Sequence, residues 1–468
     1  MDFNKIFQSQ KELFNSHQTK DVAFRKETLK KLKKIIKDNE NRLHEAIYKD
    51  FRKSAFDTFL NELSLVYNEL DFFLTNLDRL AQPKRVKTTL SLQPGKSHIY
   101  YDPLGVMLVI GAWNYPYLLT LIPLISSIAA GNTCMVKPSE LPENTMHVLS
   151  ELINPNFPSN YIYVVEGGIT ETTELLKLRY DKIFFTGSPK VGKIVYEAAA
   201  KNLVPVVLEL GGKSPAIVTR TANLEVATKR LIWGKFLNGG QTCIAPDYLL
   251  VEESVKPELL QLMKEKLKEI NYSDGAEHYT SIINKRNFDR ILGLVDKSQI
   301  VYGGASNEKT LYIEPTILDN VSWEDAVMQE EIFGPVFPVL SFTDYDEILQ
   351  KIIEGEKPLA AYLFTKNKEE KDKLLKLVSF GGGCINDTLM HITSDYLPFG
   401  GIGNSGIGNY HGEFGFLSFS HQKSVVEKTN WGEPNWKYPP YTNKKMKRLK
   451  KILFSLLLYG IPLPMILL

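Results

Sequence analysis

The chain has 468 residues, of which 43% are hydrophobic and 24% are charged, and its formal net charge is +2. This length exceeds one ordinary hydrophobic core, so two or three domains are expected, and the small net charge gives no reason to expect a nucleic-acid partner. Its three cysteines, Cys134, Cys243 and Cys384, lie far apart. This pattern argues against a disulfide framework and a zinc ribbon, so no metal site is expected, and it indicates a reducing compartment.

The amino-terminal segment predicts helices. Its first residues, MDFNKIFQSQ, lack the apolar stretch of a signal peptide, so a cytoplasmic protein is expected. From Gln10 to about Leu80 the apolar residues have helical spacing, which places Leu29, Leu32, Ile35 and Ile36 on one face and lysines on the other.

Short apolar runs follow and predict β-structure. Two β-rich runs around the turn residues Pro94–Gly95 predict a hairpin from Val86 to Tyr101. From Val106 onward, patterns of buried strands alternate with helical stretches, which is typical of an α/β sheet. A second series predicts another α/β unit that begins near residues 209–212. The strand patterns are GVMLVIGAWNYP, TCMVKPS, YIYVVEGG, KIFFTGS, PVVLELGGKSPAIV, DYLLVEESV, YIEPTIL, PVFPVLSF and LAAYLFT.

The carboxyl terminus differs in composition from the rest. Six of the eight residues from Lys444 to Lys451 are basic, and Ile452 to Leu468 carry no charge. As a helix these last 17 residues would reach about 25 Å, which is short of a bilayer core of about 30 Å. One interpretation is a tail that packs on an apolar groove. The favoured one is contact of residues 444–468 with the cytoplasmic face of a membrane, because a basic cluster beside an apolar end suits anionic lipid.

The stretch FFTGSPKVGK predicts a helix start that is suited to phosphate. Gly187 and Gly192 have the spacing of a phosphate-binding loop and Lys193 follows, but Ile194 stands where a nucleotide triphosphatase needs a hydroxyl for magnesium. On spacing alone, a purely structural glycine turn is nearly as good an interpretation.

Cys243 lies in the stretch NGGQTCIAP, and its neighbours do not settle its role. Gly239 and Gly240 permit a close approach of backbone or substrate. A free cysteine is more often a small buried apolar residue than a nucleophile, and a nucleophile needs a nearby cation or a helix N-terminus. For Cys134 and Cys384 the structural interpretation is preferred, because Cys134 lies in a strand-like apolar run and Cys384 has no candidate base nearby in the sequence. For Cys243, composition leaves both interpretations open.

Seven ordered motifs decide between them. LELGGKSP at Leu208–Pro215 and GQTCIAP at Gly240–Pro246 resemble the aldehyde dehydrogenase superfamily, as do GAWNYP, KPSE, FTGSPKVG, EEIFGPV and LPFGGIGNSGIG in the expected order. The resemblance extends from Gln10 to Ser424. GQTCIAPDY and the later NDTLMH and YHG resemble the class 3, fatty-aldehyde branch, whose microbial members include diaponeurosporenal-type carotenoid aldehyde dehydrogenases.

The resemblance implies a set of catalytic roles. Cys243 is the nucleophile that forms a thiohemiacetal and then a thioester, and Glu209 activates the water that releases the acid. The oxyanion hole comes from the Cys243 N–H and the Asn114 side-chain amide. Two further suggestions are weaker: Lys235 as a cation that lowers the thiol pKa, and His411 as a proton relay or an ordinary hydrogen-bonded histidine.

The resemblance also implies NAD as cofactor, with NADP as a second option. Lys137 and Glu140 correspond to residues that hold the adenosine ribose, and an acid at Glu140 favours NAD over a 2′-phosphate. Glu331 corresponds to the residue that binds the nicotinamide ribose, and Phe333 to the ring beside it. The turn on the pyrophosphate side is Gly187, Ser188, Pro189, Lys190, Val191 and Gly192.

The implied fold is α/β, with a Rossmann-like cofactor domain, an α/β catalytic domain and a small β extension that helps to form a homodimer. The implied activity is NAD(P)-dependent oxidation of a medium- or long-chain, or otherwise lipophilic, aldehyde to its carboxylic acid. Two alternatives are a semialdehyde or acylating dehydrogenase of the same fold, and a non-catalytic membrane-tethered nucleotide-binding protein. The expected domains are 1–82 with 103–209 for the cofactor, 210–396 for catalysis, 83–102 with 397–430 for the extension, and 431–468 for the tail.

Overall fold

A computed structural model describes residues 2–433 and 435–458. The chain divides into two compact units: residues 1–80 with 103–420, and residues 81–102 with 421–468. The helices are α1 Phe3–Asn15, α2 Val22–Asp38, α3 Glu40–Phe51, α4 Ala55–Thr58, α5 Ser64–Leu80, α6 Leu118–Ala130, α7 Glu143–Ile153, α8 Ile169–Leu175, α9 Pro189–Ala200, α10 Leu224–Phe236, α11 Lys256–Ile270, α12 Lys285–Gly293, α13 Ala326–Gln329, α14 Tyr345–Glu354, α15 Lys368–Leu377, α16 Gly412–Ser418 and α17 Asn443–Leu458.

Each strand pattern predicted from Val106 onward forms at least one strand, and the structure adds four strands that no pattern predicted, at residues 300–302, 306–307, 382–385 and 406–407. The strands are β1 Lys84–Val86, β2 Gly95–Pro103, β3 Val106–Ile110, β4 Thr133–Lys137, β5 Ile162–Val164, β6 Lys182–Thr186, β7 Val206–Glu209, β8 Pro215–Val218, β9 Tyr248–Glu252, β10 Ile300–Tyr302, β11 Ser306–Asn307, β12 Tyr312–Ile313, β13 Thr316–Leu318, β14 Val336–Phe342, β15 Ala360–Phe364, β16 Gly382–Ile385, β17 Gly406–Ile407 and β18 Ser420–Lys428.

The first unit contains two large sheets, as the sequence predicted. One has the order β17-β7-β6-β3-β4-β5 and the other the order β10-β13-β14-β9-β8-β15-β16. Both are parallel except where β17 meets β7 and where β10 meets β13. The chain leaves the first sheet at Glu209 and enters the second at Pro215. Both sheets lie in one compact unit, so the expected division near residues 209–212 stays a prediction.

Apolar burial explains this arrangement. Every residue of β3, β4, β8 and β15 is buried, as in parallel sheets that are covered on both faces. Helix α6 is buried at all 13 positions, which fits its apolar sequence on every face. It contacts α2, α5 and α16 as well as β3 and β4, so it forms the centre of the first unit.

The predicted amino-terminal helices are confirmed, with α2 burying Leu29, Leu32 and Ile36. Ile35, which was expected on the same face, is only half-buried. A π-helical turn at Phe59–Leu63 interrupts the regular helix between α4 and α5. Such turns insert one extra residue and reorient the side chains around it. This irregularity has no clear signal in the apolar spacing.

The second unit is a three-stranded sheet of order β1-β2-β18. The predicted hairpin is present, with Val86 opposite Ser97. Its connection is longer than the tight turn expected at Pro94–Gly95, because a helical turn at Leu90–Leu92 intervenes and β2 begins only at Gly95.

The expected extension differs from the structure on its carboxyl-terminal side. Residues 397–420 belong to the first unit, where Gly406 of β17 pairs with Glu209 of β7. The cause is close backbone packing: a Cβ on Gly406 would overlap the carbonyl oxygen of Leu208. The glycine-rich LPFGGIGNSGIG segment therefore lies against the first sheet, whereas the extension comprises residues 81–102 and the chain from His421 onward.

Helix α17 contains the basic cluster of the tail. Within residues 2–433 and 435–458, no helix is both long and apolar enough to span a membrane. Residues 459–468 lie outside the described residues, so the expected membrane contact of the complete tail is not tested.

Candidate active site

Four predicted site residues lie where parallel strands of the first sheet end. Asn114 follows β3, Lys137 ends β4, Gly187 follows β6 and Glu209 ends β7. These four strands are consecutive neighbours in the sheet. Ligands bind at this edge in open α/β sheets, because loops and helix N-termini converge there. The fold thus brings together residues that are far apart in the sequence.

The Cys243 loop is held in an unusual backbone conformation. Asn238, Gly239 and Gly240 all have left-handed backbone angles, with φ of 55°, 62° and 74°. A Cβ on Gly240 would overlap the carbonyl of Gly334. Glycine is therefore required here, and its absence of a side chain lets the Gly334 segment approach the loop that carries Cys243.

Asn114 is hydrogen-bonded to this loop. Its Nδ2 donates to the Gln241 carbonyl over 3.0 Å, and the Asn238 Nδ2 donates to the Asn114 carbonyl over 2.9 Å. The hydroxyls of Tyr115 and Thr242 share a hydrogen bond of 2.7 Å. An amide nitrogen carries two hydrogens, so Asn114 retains one N–H beyond its bond to Gln241. The proposed oxyanion donor and the nucleophile loop thus form one connected assembly.

The Cys243 residue is partly exposed, but its thiol lies deep in the protein. Burial, with smaller contributions from Glu331 and Glu209, raises its pKa to about 12, although the N–H groups of Cys243 and Ile244 act in the opposite direction. No cation is among these main influences. Lys235, which was expected to help, is itself fully buried with a pKa lowered by burial to about 8. The thiol is protonated at neutral pH in this state.

Glu209 is a buried carboxyl group without a hydrogen-bond partner. The residue is 3% exposed, and neither side-chain oxygen has a partner among the described residues. Burial raises its pKa well above the ordinary value. A carboxyl group with a raised pKa accepts protons readily, which suits a general base near neutral pH.

Tyr410 is a site residue that the sequence reasoning missed. It is fully buried, its hydroxyl has no partner among the described residues, and its ring lies 4.4 Å from that of His411. Burial raises the pKa of Tyr410, and the next influences are Glu209 and Cys243. Burial lowers the pKa of His411 to about 3, so this histidine is neutral. The YHG motif was the available signal, but it gave no indication that the tyrosine lies beside the thiol and the base.

Glu331 and Phe333 approach the same site from the second sheet. The Gly212 N–H lowers the pKa of Glu331, but burial dominates and raises it to about 8. A Cβ on Gly211 would overlap the Glu331 carboxylate, so glycine at this position of the LELGG motif leaves space for the Glu331 side chain. Phe333 has a left-handed φ of 47°, and its ring lies 5.3 Å from that of Trp113.

Lys137 and Glu140 lie together at the end of β4. Their Nζ and Oε2 atoms are 3.9 Å apart, and the Lys137 Nζ also donates to the Pro138 carbonyl over 2.6 Å. The Glu140 side chain is 42% exposed and lies beside Gly168, 3.6 Å from the position that a Cβ would occupy there. A lysine held by a backbone carbonyl, next to a half-exposed carboxylate, forms a surface suited to ribose hydroxyls.

The FTGSPKVG turn forms the start of α9. The Ser188 side chain caps the helix by accepting from the Val191 N–H over 3.4 Å. A Cβ on Gly187 would come within 2.6 Å of the Phe185 ring, and one on Gly192 within 2.7 Å of Leu210. The free N–H groups at this helix start suit a pyrophosphate. Within this turn, Pro189 opens the helix, and Ser188, Lys190 and Val191 are exposed.

These residues fit a dinucleotide. The Thr186 hydroxyl, directly before Gly187 in the chain, is buried without a partner among the described residues. At the starts of α8 and α9, Ile169 is 81% exposed and Val191 is 42% exposed. Uncovered apolar side chains next to a helix N-terminus provide a surface for a flat base, with the phosphates at the N–H groups.

The other two cysteines differ from each other. Cys134 is fully buried in β4, and burial raises its pKa far above its usual range. Cys384 was expected to have no base nearby, and this expectation is wrong. The Cys384 Sγ is 3.7 Å from the His391 Nδ1. Burial raises the thiol pKa and lowers that of His391 to about 4, so both groups are neutral.

Comparison with known proteins gives a consistent result. The sequence model of the aldehyde dehydrogenase family matches residues 1–425. The chain is 47% identical over 443 residues to the 4,4'-diaponeurosporen-aldehyde dehydrogenase of Staphylococcus aureus (strain NCTC 8325 / PS 47), covering 94% of this chain and 96% of the relative. It is 43% identical to mouse aldehyde dehydrogenase family 3 member A2, covering 95% and 93%.

Another relative and a solved structure agree. The mouse aldehyde dehydrogenase described as dimeric and NADP-preferring is 43% identical, with 94% of this chain and 98% of the relative covered. A substrate-bound structure of Staphylococcus aureus AldH superposes with a TM-score of 0.94 at 45% identity, covering 97% of this chain and 99% of that one. The likeness therefore extends over both sheets.

Proposed function

Because the chain belongs to the aldehyde dehydrogenase family, we propose that Cys243 and Glu209 carry out the oxidation of a lipophilic aldehyde to its carboxylic acid. The family activity and the use of NAD or NADP follow from membership. The observation that carries the residue assignment is the joined assembly of Asn114 and the Cys243 loop, with the unpaired Glu209 carboxyl at the end of β7.

The first step is addition of the Cys243 sulfur to the aldehyde carbon. The thiol loses its proton, a C–S bond forms, and the carbonyl π electrons move to the oxygen. That oxyanion accepts hydrogen bonds from the Cys243 N–H and from the Asn114 N–H that remains beyond its bond to Gln241. Because burial raises the thiol pKa to about 12, the ionisation must be favoured by changes that accompany binding.

The second half of the reaction releases the acid. A bound nicotinamide would supply the hydride acceptor. As the oxyanion re-forms a carbonyl and the carbon loses its hydride, the acyl group remains on Cys243 as a thioester. The Glu209 carboxylate takes a proton from water, the water oxygen forms the new C–O bond, and the C–S bond breaks. Cys243 leaves as a thiolate, and the carboxylic acid departs.

The cofactor is assigned to the same edge of the first sheet. Lys137 and Glu140 hold the adenosine ribose, the turn from Gly187 to Gly192 faces the pyrophosphate, and Glu331 binds the nicotinamide ribose beside Phe333. The charge of Glu140 disfavours a 2′-phosphate, which supports a preference for NAD. The proximity of Lys137, with Nζ 3.9 Å from Glu140, leaves NADP acceptable.

The lipophilic nature of the aldehyde is supported by a relative and by the tail. The 47% identical relative is named for a carotenoid aldehyde. Helix α17 begins with the basic cluster of residues 444–451, which suits the anionic cytoplasmic face of a membrane. We infer a cytoplasmic enzyme that meets its substrate at that surface. The dimeric relative and the exposed strand β18 support a homodimer.

Replacing the thiol tests the assignment of the nucleophile. Cys243→Ala is expected to abolish aldehyde-dependent reduction of NAD while NAD binding, measured by titration, persists, because the variant lacks the group that bonds to carbon. Cys384→Ala is the matched control and is expected to retain turnover. Wild-type turnover by Cys243→Ala would eliminate the mechanism.

Removing the end of the tail tests the membrane contact. Deletion of residues 452–468 is expected to move the enzyme from the membrane to the soluble fraction, and to reduce turnover of hexadecanal more than that of propanal. The comparison uses the complete chain expressed and fractionated in parallel. Identical fractionation of the two forms would contradict the contact.

A further inference from the structure

Lys53 and Glu62 form an ion pair that is completely buried. The Lys53 Nζ and the Glu62 Oε1 are 2.7 Å apart, and both side chains are 0% exposed. The other carboxylate oxygen accepts from the backbone N–H groups of Tyr117 and Leu118, over 2.8 and 3.2 Å. Burial of two charges requires a large loss of hydration, so such a pair is weak evidence of a gain in stability. Its retention calls for another explanation.

The pair holds the segment that carries the oxyanion donor. Glu62 lies in the π-helical turn Phe59–Leu63, a type of irregularity that is frequent at functional sites. Through Tyr117 and Leu118 it fixes the start of α6, which directly follows the segment with Asn114 and Tyr115.

Lys53 makes a second contact, with the ring of Tyr115. Its Nζ lies 3.9 Å from the ring centroid, well within the range of about 6 Å for a cation–π interaction, which is stronger when both groups are desolvated. At the other end of the ring, the Tyr115 hydroxyl shares its 2.7 Å hydrogen bond with Thr242. Thr242 precedes Cys243 in the chain, so two consecutive contacts and one peptide bond connect the buried cation to Cys243.

We propose that Lys53 is a positioning residue for the aldehyde oxidation, acting through Tyr115 and Thr242 to hold Cys243 in register with the Asn114 amide. This rests on the proposed role of Cys243. The effect is geometric, because the main charges that act on the thiol are those of Glu331 and Glu209. A displacement of about 1 Å between reacting groups lowers rates by about 100-fold. Loss of the Lys53 cation is therefore expected to lower kcat without shifting the pH dependence of kcat.

The main test removes both charges of the pair together. In Lys53→Met/Glu62→Gln, the glutamine oxygen still accepts from the amides at the start of α6, and no unpaired charge remains. The expected result is a fall in kcat of about 10- to 100-fold per active site, with an unchanged KM for NAD. Active sites are counted by labelling Cys243 with iodoacetamide, so a loss of folded protein does not count as a loss of kcat.

Lys182→Met is the matched control. The Lys182 Nζ also lies over an aromatic ring, 5.9 Å from the centroid of Phe419. Lys182, however, is the first residue of β6, whereas Glu209 is level with Thr186 at the last residue of that strand, so Lys182 lies at the far end of the strands from the candidate site. Its kcat per active site is expected to match the wild type. An unchanged kcat in the Lys53→Met/Glu62→Gln variant would overturn the proposal.

Tyr115→Phe tests the link and remains informative if the charge-free pair does not fold. Removing one hydroxyl breaks the bond to Thr242, and kcat is expected to fall by a similar factor. Added to the Lys53 and Glu62 changes, it is expected to cause little further loss, because the variants interrupt one chain of contacts. The link through Tyr115 would be refuted if Tyr115→Phe kept the wild-type kcat. It would also be refuted if the combined variant lost kcat by the product of the factors that the separate variants lose. Wild-type enzyme that keeps its turnover after Cys243 is labelled would instead refute the nucleophile.

Discussion

Glu62 and Glu209 are buried to nearly the same extent, at 0% and 3% exposure, but their surroundings are opposite. Glu62 receives the Lys53 ammonium and two backbone N–H groups. Both oxygens of Glu209 lack a partner among the described residues. An unpaired buried polar group costs several kcal/mol at most sites. The comparison teaches that a buried carboxylate with hydrogen-bond donors holds neighbouring segments in place, whereas a buried carboxyl group without donors at a strand end indicates a catalytic role.

Of the substitutions at these two glutamates, Glu209→Gln is expected to have the largest effect on activity. Turnover should fall by about 10²- to 10⁴-fold, because no base remains to activate water for the thioester. The first turnover should still release reduced cofactor, so stopped-flow absorbance should record a burst followed by a stall. Glu151→Gln, at an exposed glutamate, is the control and should turn over normally. Steady release of acid by Glu209→Gln at the wild-type rate would assign the base elsewhere.

Glu62→Ala is expected to act on folding. It leaves the Lys53 charge and the two N–H groups without their acceptor, which should lower the free energy of unfolding by about 3–5 kcal/mol. Urea unfolding followed by circular dichroism measures this change. Glu151→Ala breaks only an exposed ion pair with Arg42 and should leave the unfolding midpoint nearly unchanged. Equal midpoints for the two variants would contradict the bracing role of Glu62.

The smallest expected effect is a pH dependence of stability. Burial raises the pKa of Glu209 above its ordinary 4.5, so the folded state holds its proton more tightly than the unfolded chain does. Stability from this group is therefore present at low pH and is lost as the pH rises above about 4.5. The stability of Glu209→Gln relative to wild type should increase over that range. A difference that stays constant from pH 4 to 8 would show that Glu209 has an ordinary pKa.

Much of the fold was predictable because its signals are local. Runs such as KIFFT and AAYLF are apolar at nearly every position, and both form fully or almost fully buried strands. The glycines after Glu209 marked the point where the chain passes between sheets. The hairpin loop was less predictable, because a helical turn replaced the tight turn at Pro94–Gly95.

The residues of the candidate site were predictable only where they belong to a short sequence motif. Asn114 and Cys243 were identified in this way, and their connection through Gln241 agrees with the assignment. Lys53 lies in the short connection between α3 and α4, within a stretch that the sequence predicted to be helical with solvated lysines, so its burial had no sequence signal. Cys384 was assigned no base because His391 is seven residues away, and only the turn after β16 brings the two together.

The sequence by itself determined the α/β fold and the order of its strands along the chain, and it led to the proposal of Cys243 as nucleophile and Glu209 as base, because apolar periodicity and short motifs are local features of a chain. Only the tertiary structure decided that Glu209 is buried without a hydrogen-bond partner among the described residues and that Glu62 is buried with three donors. Both residues are glutamates, and burial and pairing depend on what distant segments place around a side chain. The chemical difference between them arises from packing.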